Sequence, residues 1–363
     1  MKCKFPPLKN IDLKPANLPK VAILRLSALG DIVLCAAMVS YLAKTGKFRV
    51  FWITTIQAKE MFGFIEGVEF IIIPKPKGIA SFIQCRQILG KQNFDFLLLA
   101  QASLSAHLVS INVRAATKIG FDSSRSKDFH KFFVNKCIRK KEEHFVDGYF
   151  SFLHELDITK PDEISWQGLF GKPPLPLPQE WPHNEPFMAV TTSASKIERN
   201  WLLQSYSEVI HHIQCSGLKV VLIGGSETGE KDFNRRLFDH CKIPPLDLTG
   251  MVKLSELPYF LEKASFLLSP DTGTVHLARA VNTPVVGLFA VANPLLTGPY
   301  RALDFSINRH GEALKKFRSG SKNSIHSRIH QPEAMELITV DEVIAQVERV
   351  LEFLSFPVSR NQS

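Results

Sequence analysis

The sequence predicts an α/β protein of two halves, each a parallel sheet with helices on both faces, set against a central cleft. Three observations lead there. The chain opens with an apolar run, a glycine turn and a helical pattern. The same strand–helix alternation recurs along its length, and a proline-rich break near the middle is followed by a fresh start of the rhythm. At 363 residues the chain exceeds one ordinary core and fits two.

Val21–Leu26 (VAILRL) is short and apolar enough for a buried strand. It runs into Ser27-Ala28-Leu29-Gly30-Asp31, a turn signal, and then a helical pattern through Ala43. Further strands are expected at Arg49–Thr54, Phe70–Ile73 and Phe96–Ala100, with helical stretches between them. That alternation calls for parallel pairing, because each crossover carries a helix. Lys172–Pro186 holds six prolines, which neither donate to a ladder nor continue a helix, so it reads as a stiff connector. Beyond it come an apolar strand at Phe187–Thr191, a helix at Leu202–Gln214 and a strand at Lys219–Ile223 closed by Gly224-Gly225. Strands at Ser265–Leu268 and Pro284–Phe289 and a last helix at Val340–Leu354 complete the pattern. The expected division is an extension over 1–20, a first domain over 21–172, a linker over 173–186, a second domain over 187–340, and a C-terminal helix and tail over 341–363.

Hydrophobic residues make up 45% of the chain and charged residues 22%, with 27 Phe, so both halves can bury sizeable cores and a disordered chain is excluded. The net charge of +9 favours anionic partners. It is uneven: Arg114–Lys141 holds nine Lys/Arg against Asp122 and Asp128, and Arg309–Arg328 holds six against Glu312. A solvated basic face and a functional surface both fit those stretches. Six scattered cysteines make no CxxC pair and no metal-ligand spacing, which points to a reducing compartment. Met1–Lys20 lacks the apolar core of a signal peptide, and the most apolar run, Phe94–Val113, is broken by Gln101, Ser103, Ser105 and His107. A cytoplasmic protein is expected, with peripheral membrane contact left open.

The sharpest segment is Ser269–Tyr300, SPDTGTVHLARAVNTPVVGLFAVANPLLTGPY. A buried strand feeds a turn at Pro270–Gly273, and a helix begins near Thr274. Free N–H groups at such a helix start, together with its dipole, form an anion site. Gly273 lets a phosphate approach the backbone, the Thr272 and Thr274 hydroxyls add donors, and His276 lies in the first turn. Plain N-capping also accounts for Asp271 or Thr272 taken singly.

The longer pattern resembles glycosyltransferase family 9, the ADP-heptose:lipopolysaccharide heptosyltransferases. Its D-T-G-x-x-H-L-A-x-A motif stands here as Asp271-Thr272-Gly273, His276-Leu277-Ala278 and Ala280. Pro284, Val286 and Leu288-Phe289 match the next strand, and Thr297-Gly298-Pro299-Tyr300 the following turn. Arg25–Val33 is similar to the first-strand signature, and His144-Phe145-Val146-Asp147-Gly148-Tyr149 to a segment ahead of the linker. The resemblance covers roughly residues 20 to 350, with the motifs in the same order.

The resemblance implies a GT-B fold of two Rossmann-like domains, donor mainly on the second and acceptor mainly on the first. It implies inverting transfer of heptose from an ADP-sugar to a hydroxyl of the lipopolysaccharide inner core, peripherally at the inner membrane, with no metal, cofactor or nucleic acid. Asp31 matches the general base. Asp271, Thr272, Gly273 and His276 match donor-binding positions. Ser193–Trp201 resembles A-S-x-x-x-K-x-W, so Ser195 is carried over, but the phosphate-binding lysine is Arg199 here and the proline after the tryptophan is Leu202. Lys196, three positions earlier, competes with Arg199 for the phosphate. Glu227 after Gly224-Gly225 is placed either on the ribose or on the loop surface. Ser27, Leu29, Gly30, Arg125 and Lys127 are the expected acceptor contacts. The cysteine-rich segment of many relatives before the last helix is absent.

A nicotinamide enzyme predicts G-x-G-x-x-G after the first strand, but that turn offers only Gly30. No G-x-x-x-x-G-K-[ST] loop occurs, which argues against a P-loop NTPase. A GT-B homologue using another sugar nucleotide, or binding one without catalysis, stays open beside the transferase.

Overall fold

The computed structural model describes residues 18–76, 78–126, 129–171, 178–182, 185–318 and 326–356. Much of the proline-rich connector, Lys127 and the middle of the second basic stretch therefore lie outside the described residues.

The first half runs β1 (Lys20–Leu24), α1 (Leu29–Lys44), β2 (Arg49–Thr54), α2 (Ile56–Phe62), β3 (Val68–Ile72), α3 (Gly78–Leu89) and β4 (Asn93–Leu99). It continues with α4 (Leu104–Ile111), β5 (Arg114–Gly120), β6 (Lys136–Cys137) and α5 (Phe145–His154). The second half runs β7 (Phe187–Thr191), α6 (Leu203–Cys215), β8 (Lys219–Ile223), α7 (Thr228–His240), β9 (Leu246–Asp247), α8 (Leu257–Lys263) and β10 (Phe266–Pro270). It closes with α9 (Gly273–Ala280), β11 (Val285–Phe289), α10 (Pro294–Thr297), β12 (Ile307–Asn308), α11 (His310–Phe317) and α12 (Val340–Phe353).

Both sheets have six strands, and every pairing in them is parallel. Their orders, β3-β2-β1-β4-β5-β6 and β12-β11-β10-β7-β8-β9, are the same winding used twice. The central strands are buried on both faces and read as apolar runs, VAIL in β1 and FLL in β10. Val21–Leu24 pair with Val50–Ile53 on one side and Phe96–Leu99 on the other.

Four strands differ from the expectation, for two reasons. β5 (RAATKIG) falls in the first basic stretch, where Arg114, Lys118 and three small residues mask the strand pattern. The outer strands β6, β9 and β12 have two residues each, too few for any periodicity to register.

One face of each sheet contributes to a shared core through α1, α5, α8 and α9, so the halves meet across apolar side chains. A separate core under α6 and α12 holds the far face of the second sheet. α12 begins with a capping box in which Thr339 and Glu342 satisfy each other's backbone N–H. Trp181 of the connector is buried, its ring edge-on to Phe260 at 5.0 Å.

Candidate active site at the facing switch points

In a doubly wound sheet the crevice for ligands opens where successive connections leave in opposite directions, at the carboxyl ends of the strands. Here that place lies between β1 and β4 in one half and between β7 and β10 in the other. The loops that follow these four strands carry Arg25–Asp31, Gln101, Thr192–Asn200 and Asp271–Gly273.

Asp31 lies in the first turn of α1, where the helix dipole favours a carboxylate. Its Oδ2 is ion-paired with Arg25, and the Tyr149 hydroxyl donates to its Oδ1 at 3.3 Å. Arg25 is buried at the end of β1, donates to the Ala100 carbonyl at 2.7 Å, and lies 5.7 Å from the centre of the Tyr149 ring. The loop is held from below by Gln101. Its Oε1 accepts the N–H groups of Leu26 (2.8 Å) and Ser27 (3.2 Å). Its Nε2 donates to Ser103 Oγ at 2.9 Å and Ser27 Oγ at 3.4 Å.

On the opposite side, Thr272 precedes α9 without capping it through its side chain; its hydroxyl lies 3.0 Å from that of Ser269. The leading N–H groups of α9 thus keep their donor capacity. Arg199 donates to the Asp271 carbonyl at 3.2 Å and lies 3.4 Å from Oδ2 of the same residue. Burial raises the Asp271 carboxyl above the ordinary value and Asp31 adds to the rise, while Arg199 and Arg328 pull it down. His276 is buried, and its Nδ1 has no hydrogen-bond partner among the described residues. Burial pushes its pKa down to about 4, helped by His144 and opposed by Asp31, so the ring is neutral near pH 7.

The two sides touch through two glycines. A Cβ on Gly30 would lie 2.6 Å from His276 Cδ2 and 3.2 Å from Gly273 Cα. A Cβ on Gly273 would lie 2.8 Å from the Gly30 nitrogen. The first turns of α1 and α9 therefore converge on one point, with both positive helix ends directed there alongside Arg25 and Arg199. Such a place suits a diphosphate.

The junction is fixed further by two segments from opposite halves. His144 caps α5, its Nδ1 accepting the Val146 N–H, so Nε2 carries the proton that it donates to the Gly298 carbonyl at 2.9 Å. The Tyr300 hydroxyl donates to Asp147 Oδ1 at 2.8 Å, and Arg301 donates to the Asp162 carbonyl at 3.1 Å. The HFVDGY and TGPY motifs are the two sides of this latch.

With that geometry in place, sequence comparison decides the family. Residues 82–326 match the sequence model of glycosyltransferase family 9 (heptosyltransferase). The chain belongs to that family. This glycosyltransferase is 27% identical over 335 residues to the lipopolysaccharide core heptosyltransferase OpsX of Haemophilus influenzae, spanning 91% of this chain and 96% of the relative. Lipopolysaccharide heptosyltransferase 3 of Escherichia coli is 22% identical over 285 residues, 75% of this chain and 80% of that one. Among solved structures, a family 9 glycosyl transferase from Veillonella parvula superposes with a TM-score of 0.73 at 18% identity, covering 94% of this chain and 99% of that chain. The E. coli heptosyltransferase WaaC with ADP gives 0.68 at 18% identity, covering 91% and 99%. The fold is GT-B, as the resemblance implied.

The expected site residues of this glycosyltransferase are placed unevenly. Asp31, Gly30, Ser27 and Leu29 cluster with Arg199, Asp271, Thr272, Gly273 and His276 at the junction. Ser195 and Lys196 are exposed on the loop after β7. Glu227 is exposed and makes no capping contact at the start of α7; Glu230, one turn later, turns back to accept the Gly225 N–H at 2.7 Å. Arg125 is engaged on all three nitrogens: Nε with Asp122 at 2.5 Å, Nη1 with Glu143 at 3.0 Å and Nη2 with the Arg139 carbonyl at 2.9 Å. Its side chain is buried among these partners, all of them on the first half of the chain. Lys127 is outside the described residues. Arg25 and Tyr149 lie inside motifs quoted from the sequence without a role of their own, and Gln101 and Glu230 are assigned none. A signal existed for Arg25, the one charge in the run VAILRL.

Proposed function

We propose that this glycosyltransferase moves heptose from ADP-heptose to a hydroxyl of the lipopolysaccharide inner core, with inversion, while resting peripherally on the inner membrane. The observation that carries the reading is the convergence at Gly30 and Gly273. It sets a carboxylate held by Arg25 and Tyr149 against a helix N-terminus flanked by a buried neutral histidine with a free ring nitrogen. The names of its relatives supply the sugar, since a site built around phosphate does not itself distinguish heptose from hexose.

In this reading the acceptor hydroxyl gives its proton to Asp31 as its oxygen attacks the anomeric carbon. The bond from that carbon to the donor phosphate breaks on the opposite face, and its electron pair leaves with ADP. Charge develops on the leaving oxygen, where the N–H groups of Gly273 and Thr274 and the Arg199 guanidinium are already fixed. His276 offers its free nitrogen to the sugar or the phosphate. Asp271 is turned toward Arg199, which screens its charge from the diphosphate. Arg25 and Tyr149 orient the base.

Calorimetric titration with ADP, UDP, GDP and NAD, with and without magnesium, tests this directly. Metal-independent preference for ADP is expected. Preference for UDP or GDP would move the donor to another sugar nucleotide, and tight binding of NAD alone would overturn the reading.

A further inference from the structure

Seven exposed large apolar side chains gather on three segments of the first half. On α4, Leu104, Leu108 and Ile111 stand at i, i+4 and i+7, a single outward stripe, while Ala106, His107, Val109 and Ser110 face inward. On α3, Ile79 and Ile83 repeat the spacing, 81% and 51% exposed. Phe129 and Phe132 follow β5 and are 77% and 73% exposed.

These segments form one surface. α3 packs against α4. His107 of α4 shares a hydrogen bond of 2.7 Å with His130 and stacks on Phe133 at 4.7 Å. Ile111 and Phe132 line one hollow of about 340 Å³ together with Lys118. Because the sheet is parallel, the segments after β3, β4 and β5 all start at the edge that carries Asp31. α4 is tied to that site directly, since Gln101 bonds both its cap Ser103 and Ser27.

The charge pattern matches. Residues 78–89, 104–111 and 129–141 contain no Asp or Glu, and they carry Arg86, Lys131, Lys136, Arg139, Lys140 and Lys141. Lys136 pairs with Glu155; the others are exposed. The Lys131 ammonium lies 5.2 Å from the centre of the Phe132 ring, so cation and aromatic share one spot. Apolar stripes fringed with cations, on segments that themselves carry no Asp or Glu, suit the interface of an anionic bilayer. No helix among the described residues is long and apolar enough to cross a membrane, so contact here is with the surface.

We propose that the face formed by α3, α4 and the Phe129–Phe132 segment docks on an anionic phospholipid bilayer, with Leu104, Leu108, Ile111, Phe129 and Phe132 entering the interface and Lys131 and Arg139–Lys141 meeting the headgroups. The inference deepens the reading above, on which the acceptor is a lipid-anchored glycan. Docking on this face brings the lip of the Asp31 site to the membrane, where such an acceptor emerges.

The full chain is tested by co-sedimentation with vesicles of phosphatidylcholine alone and of phosphatidylcholine mixed with phosphatidylglycerol, neither containing any glycolipid. Binding is expected only to the phosphatidylglycerol vesicles and weakens as salt rises. Leu108→Glu with Ile111→Glu lowers partitioning about tenfold or more. Lys131→Gln, Arg139→Gln and Lys140→Gln, which leave the apolar core untouched, each lower it about fivefold. ADP binding and thermal stability of the charge variants stay at the native values, which keeps the result separate from the transferase reading. Equal partitioning to both vesicles, no binding to either, or indifference to the charge variants overturns the proposal. So does reversible self-association without vesicles that the same variants abolish, which would give the face to a second copy of the chain.

Discussion

Gly30→Ala tests whether the close approach of α1 and α9 is what builds the site. Two effects oppose each other. Alanine is the better helix former by up to about 1 kcal/mol, and less at the second position of a helix, where few backbone bonds depend on it. Against this, the new methyl carbon would lie 2.6 Å from His276 Cδ2 and 3.2 Å from Gly273 Cα, below the range of real contacts. Neither neighbour is the free end of a flexible chain: one is a buried ring and the other is backbone. Overpacking of this kind costs about 1–3 kcal/mol, so sterics win and a net loss of about 1–2 kcal/mol is expected. Relief comes by pushing the two helix starts apart, which displaces the donors around the leaving group; shifts on the order of 1 Å can lower turnover by about 10²-fold. Thermal unfolding should show a Tm lower by a few degrees. Single-turnover transfer should fall far more than ADP affinity. A variant with native Tm and native turnover would refute the claim that the two helix starts meet in the working enzyme.

Three further outcomes follow from the geometry. Arg199→Ala should weaken ADP binding about tenfold to a hundredfold by removing a charged donor beside Asp271, whereas Lys196→Ala, on an exposed loop, should change it less than about threefold; calorimetry that gives the reverse order assigns the phosphate to Lys196. Arg125→Ala leaves the buried Asp122 and the half-buried Glu143 without their cation and should cost about 3–5 kcal/mol in denaturant unfolding with ADP affinity intact; native stability with lost acceptor affinity would assign Arg125 to the acceptor instead. Acid should destabilise the protein through His130 and His276, both held by burial at a pKa of about 4. The unfolded chain takes up protons below about pH 6.5 that the folded chain refuses until about pH 4, so stability falls across that window as pH drops, by about 3 kcal/mol at most for each ring. His130→Asn should flatten the loss, and an unchanged acid limb in that variant would count against a neutral buried His130.

Much of this arrangement was legible in the sequence, and the reasons for the rest are physical. β1, β2, β7, β8, β10 and β11 are apolar runs bounded by turn residues, and that pattern is what a strand buried on both faces requires. β5 escaped because a strand nearer the sheet edge tolerates Arg114 and Lys118, and the two-residue strands carry no period at all. Asp31 and Asp271–His276 stood out through the resemblance to the family's motifs, since a carboxylate or hydroxyl at a helix start reads by itself as plain capping. Contacts between distant segments left no trace: nothing in HFVDGY announces that its histidine and aspartate will bond the TGPY turn. Glu227 and Glu230 differ by one helical turn, and only the fold decides which reaches back to Gly225. Arg125 shows the same limit from the other side. A charge in a basic stretch reads as surface, yet Asp122 of its own turn and Glu143 from a later segment enclose it.

The most direct test of the central claim is transfer from ADP-heptose to a truncated inner-core acceptor by the native protein and by Asp31→Asn, with ADP affinity measured alongside. The account predicts metal-independent transfer by the native protein. It predicts that Asp31→Asn binds ADP within about twofold of native and turns over about 10²–10⁴ times more slowly, because the variant keeps the shape and loses the base. Native turnover in Asp31→Asn, or no transfer from ADP-heptose by the native protein, would contradict it.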